Sequence, residues 1–168
     1  LDMKKRSGFT LAEVLIAVGI IGIIAAIVMP YINVNIEETK ETAAKNTLRI
    51  LRTAIERYAA QHQGTTPGYM NGNPAQPNMM VFIAHLLKIT DESHQIAEIG
   101  TDGYPFGPYL DEFPANPFND FKTVKMIAND QDFPQATGEG GWLYKPQTKE
   151  IKIDWPGNDS KGKPFAEY

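Results

Sequence analysis

Glu13 is the residue whose chemistry most demands a partner. From Val14 to Met29 the chain carries no charged or polar side chain, and this acid stands at the head of that run. A carboxylate well inside a membrane helix costs roughly 2.5–3.5 kcal/mol on insertion scales, and such residues pair with something. No basic residue lies within the apolar run. If the chain were cut after Gly8, Phe9 would carry a new α-amino group with a pKa near about 8, and so a positive charge. That amine could reach Glu13 of its own or of a neighbouring chain. The spacing therefore suggests an acid whose partner is created by processing.

Elsewhere the chemistry-bearing residues are sparse. His62, His85 and His94 show neither an i,i+4 pair nor an HExxH pattern, which argues against a zinc site. The stretch TGEGGW (137–142) is glycine-rich, but no Lys-Ser/Thr follows it, so it reads as a turn before a strand rather than a phosphate cradle. No Ser/His/Asp set or carboxylate pair stands out, and the expectation is a protein that is not an enzyme. With no cysteine, neither a disulfide framework nor a thiolate metal site is open to the chain. The net charge is −4, and leaving aside the basic cluster Lys4, Lys5 and Arg6 the remainder is more acidic still. A nucleic-acid surface would want a basic stripe, so none is expected.

The element that must position Glu13 is the apolar run itself. Phe9 to Ile32 would make about 36 Å of helix, enough to cross a hydrocarbon layer of about 30 Å. The three basic residues before it place the N-terminus in the cytoplasm and send the rest outward. A secretory signal peptide would have a shorter apolar core and a small-x-small cleavage site, whereas this run ends in Val-Met-Pro. Gly19, Gly22 and Pro30 each cost helix propensity, which suits a helix that packs closely against copies of itself and bends.

KKRSG followed by FTLAEVLIAVGIIGIIAAIVMPYI resembles the leader and N-terminal segment of type IV pilins and of the pseudopilins of type II secretion systems. The resemblance implies cleavage by a prepilin peptidase between Gly8 and Phe9 and N-methylation of Phe9. It also implies pairing of Glu13 with the Phe9 amine of an adjacent subunit, and a helix bend at Pro30. Ala12 stands where many members carry a bulkier apolar residue. The implied protein is a filament subunit of the bacterial inner membrane, single-pass, its head periplasmic or, after assembly, extracellular. Its implied partners are further copies of itself, minor pilins or pseudopilins, the prepilin peptidase, and an inner-membrane assembly platform with its ATPase.

Beyond Asn33 the pattern stays helical, with Ala44, Leu48, Leu51, Ile55, Tyr58 and Ala59 forming one apolar stripe that Gly64 and Pro67 end. Acids come first on this helix (Glu37, Glu38, Glu41) and bases later (Lys45, Arg49, Arg52, Arg57), an order that could pair staggered copies in a filament. The rest reads as a short helix at MMVFIAHLLKIT, a Pro- and aromatic-rich loop, and strands at KTVKMI, GWLYKP and KEIKID, the last two joined as a hairpin around Gln147-Thr148.

The expected fold is α+β and pilin-like, a long N-terminal helix packed on a small antiparallel sheet with long loops. The expected organisation is a leader (1–8), a membrane-spanning and filament-core helix (9–32), an amphipathic half-helix (33–63) and a globular head (64–168). The segments GPYLDEFPANPF and GWLYKPQTKEIKI are similar to heads of major pseudopilins, favouring a secretion pseudopilus over an adhesion, motility or DNA-uptake pilus. The same resemblance raises Ca²⁺, for which Asp154, Asn158 and Asp159 offer oxygen ligands, although Lys161 and Lys163 sit close by and would weaken a cation site.

Overall fold

A computed structural model describes residues 9–168, with the side chains of 28–35 outside the description. Gly8 and the side chain of Pro30 therefore lie outside the described residues. The chain divides into two compact units, Leu1–Thr39 and Lys40–Tyr168.

Helix α1 runs from Leu11 to Gln61. In the first unit its described apolar side chains are exposed. Leu11, Leu15, Ile20, Ile21 and Ile23 are all more than half exposed and are spread around the whole circumference of the helix. A Cβ added at Gly19 or Gly22 would meet nothing within 4 Å, so the chain's own packing gives no reason for either glycine. Among the described residues no helix is long and apolar enough to cross a membrane. The expected span, 9–32, extends past the last described side chain of the run, Ile27.

In the second unit the 3.6-residue period of α1 becomes a buried stripe. Ala44, Leu48, Leu51, Ile55 and Tyr58 are at most 2 % exposed. Against them pack α2 (Met79–Leu87) and a three-stranded sheet of β3 (Val124–Met126), β4 (Trp142–Lys145) and β5 (Glu150–Ile153). Asn78 caps α2, its side-chain oxygen accepting from the N–H groups of Met80 at 2.8 Å and Val81 at 3.2 Å.

The α+β architecture is as the sequence suggests, but the sheet is mixed rather than wholly antiparallel. β4 pairs antiparallel with β5 through a turn at Pro146–Thr148, where Lys149 takes the left-handed conformation at φ 60°. β3 pairs parallel with β4, Val124 opposite Trp142, because the long connection between them carries the chain back to the same end before β4 begins. A second small pair, β1 (Ile89–Thr90) with β2 (Ile96–Ala97), cuts short the expected helix at Leu87.

The Pro- and aromatic-rich loop is pinned by buried polar contacts. Asn116, fully buried, donates to the Gly141 carbonyl at 3.0 Å and accepts the Phe118 N–H, and the Trp142 indole donates to the Pro114 carbonyl at 3.1 Å. At Gly107 a Cβ would fall 2.6 Å from the Lys88 carbonyl oxygen, so only glycine fits where this loop crosses the end of α2.

Candidate functional site

The start of α1 shows what Glu13 does within its own chain. Its Oε2 accepts from the Thr10 backbone N–H at 2.8 Å and from the Thr10 hydroxyl at 2.8 Å, while the Glu13 N–H donates back to Thr10 Oγ1 at 3.2 Å. Thr10-Leu-Ala-Glu13 is thus a capping box, a reciprocal arrangement that satisfies two of the orphan donors of a helix start. The T-x-x-E spacing carried that signal in the sequence, and the reading of Glu13 as lacking an internal partner overlooked it. Thr10 supplies neutral donors only, so the negative charge itself is not compensated there. Phe9, next to the box, is 89 % exposed.

The second unit gathers side chains that the sequence leaves scattered. All three histidines converge on Tyr58. The His62 ring stacks on Tyr58 at 3.9 Å between centroids, His85 at 4.8 Å on the same tyrosine, and His94 lies 5.0 Å from His62. The i,i+4 spacing of Tyr58 on α1 and His62 just past its end could have hinted at their contact; His85 and His94 arrive from α2 and the β1–β2 turn. The ring nitrogens have separate partners. His62 contacts the Tyr58 carbonyl at 2.9 Å and the Thr90 hydroxyl at 3.0 Å, His94 contacts the Tyr58 hydroxyl at 3.1 Å, and His85 Nδ1 accepts the Gly68 N–H at 3.3 Å. Stacked rings facing different partners do not converge on one metal, and among the described residues no group of three His, Cys, Asp or Glu is placed to hold an ion. Burial pushes the His85 imidazole down to about 4, and burial followed by the nearby His62 lowers His94.

The residues raised for Ca²⁺ serve other ends. Asp154, buried, takes the N–H groups of Thr137 at 2.6 Å, Gly138 at 3.2 Å and Gly140 at 2.9 Å, so its carboxylate folds the TGEGGW turn. Asp159, also buried, accepts the N–H groups of Lys161 at 2.9 Å and Lys163 at 2.8 Å and the Tyr168 hydroxyl, with Lys45 Nζ 3.6 Å away. The Tyr168 hydrogen bond, with those amides and Lys45, holds the Asp159 carboxyl down at about 2. Asn158 is exposed. Each carboxylate accepts from N–H donors of its own loop.

The comparisons with known proteins point to one group. A model of the prokaryotic N-terminal methylation motif matches residues 3–29. The type II secretion system core protein G of Pseudomonas aeruginosa is 27 % identical over 118 residues, 70 % of this chain and 72 % of that protein. The prepilin peptidase-dependent protein D of Escherichia coli is 37 % identical over 44 % of this chain, and the type IV major alpha-pilin of Moraxella bovis is 38 % identical over 39 %. The chain aligns with only 51 % and 40 % of the length of those two. No solved structure matches it significantly. With a methylation motif over residues 3–29, a long helix packed on a small sheet, and a secretion core protein and pilins among its relatives, the chain is similar to type IV pilins and pseudopilins and consistent with a protein of that kind.

Proposed function

We propose that this chain is a structural subunit of a helical, pilus-like filament assembled from the bacterial inner membrane, without catalytic activity of its own. The observation that carries the reading is the first unit of α1, apolar on all faces, bare in the single chain, and headed by one carboxylate. Such a surface needs lipid or other copies of itself as cover. The open space around Gly19 and Gly22 suits close helix-to-helix approach. A prepilin peptidase cuts between Gly8 and Phe9 and methylates Phe9. The new amine then supplies the positive charge that the Thr10 donors lack, and Glu13 pairs with it on a neighbouring subunit during assembly. Pro30 is where the helix bends to fit the filament. Lys4, Lys5 and Arg6 hold the N-terminus in the cytoplasm, and the remainder lies on the far side of the membrane.

Within the family we favour the pseudopilus of a type II secretion system, because the secretion core protein aligns with more of this chain than the two other relatives described. The pilins among the relatives support the second reading, a type IV pilus subunit for adhesion, motility or DNA uptake. Either filament draws on minor subunits, an assembly platform and an ATPase.

Mass spectrometry of the chain recovered from cells with a prepilin peptidase tests the processing. The expected N-terminus is methylated Phe9, and an intact segment before Gly8 would contradict the proposal. Deleting the secretion machinery of the source cell separates the two filaments. A pseudopilus subunit loses its filaments with the secretion ATPase, whereas a pilus subunit keeps them.

A further inference from the structure

The charges along α1 sort into those engaged within their own chain and those that are not. Glu41, buried, holds Lys45 Nζ at 2.6 Å and accepts the Ser160 N–H at 2.9 Å. Lys45 also lies over the Tyr168 ring. Arg52 donates to the Ile151 carbonyl at 3.1 Å and to the Tyr168 main-chain oxygen, and Glu56 pairs with Lys149 at 2.7 Å. Of the charges in that order, Glu41, Lys45 and Arg52 are therefore engaged within their own chain. Among the described carboxylates of α1, Glu37 and Glu38 are exposed and have no ion pair. Among the described residues, exposed Arg49 meets only Asn46, at 3.3 Å, and exposed Arg57 only the Tyr109 ring, at 5.7 Å.

An exposed isoleucine adjoins each unpaired set. Ile36 precedes Glu37, and Ile50 follows Arg49. Ile50 and Arg57 also border a groove of about 540 Å³ completed by Pro108, Leu110, Asp111 and Pro114. Glu112, at the same groove, is turned toward Lys122 at 3.5 Å. Residues 36–40 bring an apolar side chain, two carboxylates and the cation of Lys40. The groove and its helix edge offer the complementary set: apolar Ile50 and Leu110, cationic Arg49 and Arg57, and the carboxylate of Asp111.

We propose that this groove receives residues 36–40 of a second copy of the chain, Glu37 and Glu38 pairing with Arg49 and Arg57 and Ile36 seating against Ile50. The inference rests on the filament reading and specifies a contact within it. Charge complementarity fixes the register of such a contact and rejects misaligned neighbours.

The test uses the full chain in cells that process and assemble it. Glu37→Arg with Glu38→Arg should cut the yield of sheared, pelletable filaments about tenfold, the effect of two ion pairs lost per subunit contact. Adding Arg49→Glu and Arg57→Glu to the same chain should restore the yield. Because the chain has no cysteine, Glu37→Cys with Arg49→Cys gives a clean cross-link, expected as a ladder of oligomers on a non-reducing gel. Pairing Glu37→Cys with Asp130→Cys is the control, expected to give no ladder. Wild-type yield from the first reversal, no recovery in the fourfold variant with a native circular dichroism spectrum, or equal ladders from both cysteine pairs would overturn the contact while leaving the filament standing. Failure of the wild-type chain to form filaments at all would instead overturn the filament reading, and this contact with it.

Discussion

His85 sits fully buried against Tyr58, its Nε2 without a hydrogen-bond partner among the described residues and its Nδ1 accepting the Gly68 N–H, so a second ring proton would place a charge in a dry core and displace that hydrogen bond. Its folded pKa of about 4 lies below the ordinary value of 6.5. The unfolded chain therefore binds the proton first as pH falls, and stability drops between about 6.5 and 4, by about 3 kcal/mol in total. His94 shifts in the same direction and adds to the loss. Thermal melts of the chain from pH 7 to 4 should show this decline, and His85→Phe should flatten it. Asp159 acts in a lower window, its contribution fading as pH falls through about 2. Asp154→Ala would take the acceptor from three part-buried N–H groups and should cost about 1–3 kcal/mol, read as a shift in the denaturation midpoint. Adding Ca²⁺ should leave the melting temperature unchanged, and a clear rise would show that Asp154 or Asp159 can be freed for a cation. At this scale the sequence made Glu13 conspicuous because it interrupts a uniform pattern. It hid the histidine stack, whose members come from three elements, and the roles of Asp154 and Asp159, whose N–H partners are backbone and carry no sequence signature.

Among the elements, α1 was the most legible. Its stripe from Ala44 to Ala59 follows the helical period, and the structure buries it as that period requires. Leu51→Ala, at the centre of the stripe, should destabilise the second unit by about 3 kcal/mol, measurable by urea titration. The hairpin of β4 and β5 was equally readable, because a short polar turn between two apolar-rich runs leaves few other pairings. The direction of β3 was not. Whether a strand runs parallel or antiparallel to its neighbour depends on the path of the connection, and the residues between Met126 and Trp142 contain Gly and Pro but no regular element to fix that path. The β1–β2 pair was missed for a related reason: two strands of two residues each are too short to show a period. Charge order along α1 was visible in sequence, but which charges are engaged was not, since Ser160, Ile151 and Tyr168 reach the helix from the far end of the chain.

The whole molecule joins a unit that buries its apolar stripe to a unit that leaves its apolar side chains bare. The second unit carries its own core, its own polar clamps and a groove bordered by Arg57. Among the described residues the first has a capping box at its start and bare apolar side chains after it, and on the proposed reading lipid and then further copies cover them. Glu13 is held by neutral donors at the start of the helix, and among the described residues it has no counter-charge. The measurement that tests this most directly compares wild-type and Glu13→Ala chains in cells that assemble filaments, following membrane insertion by fractionation and assembly by electron microscopy of sheared material. The account predicts that the variant is processed after Gly8 and reaches the membrane in normal amount but forms no filaments. Filaments in wild-type abundance from the variant would contradict it.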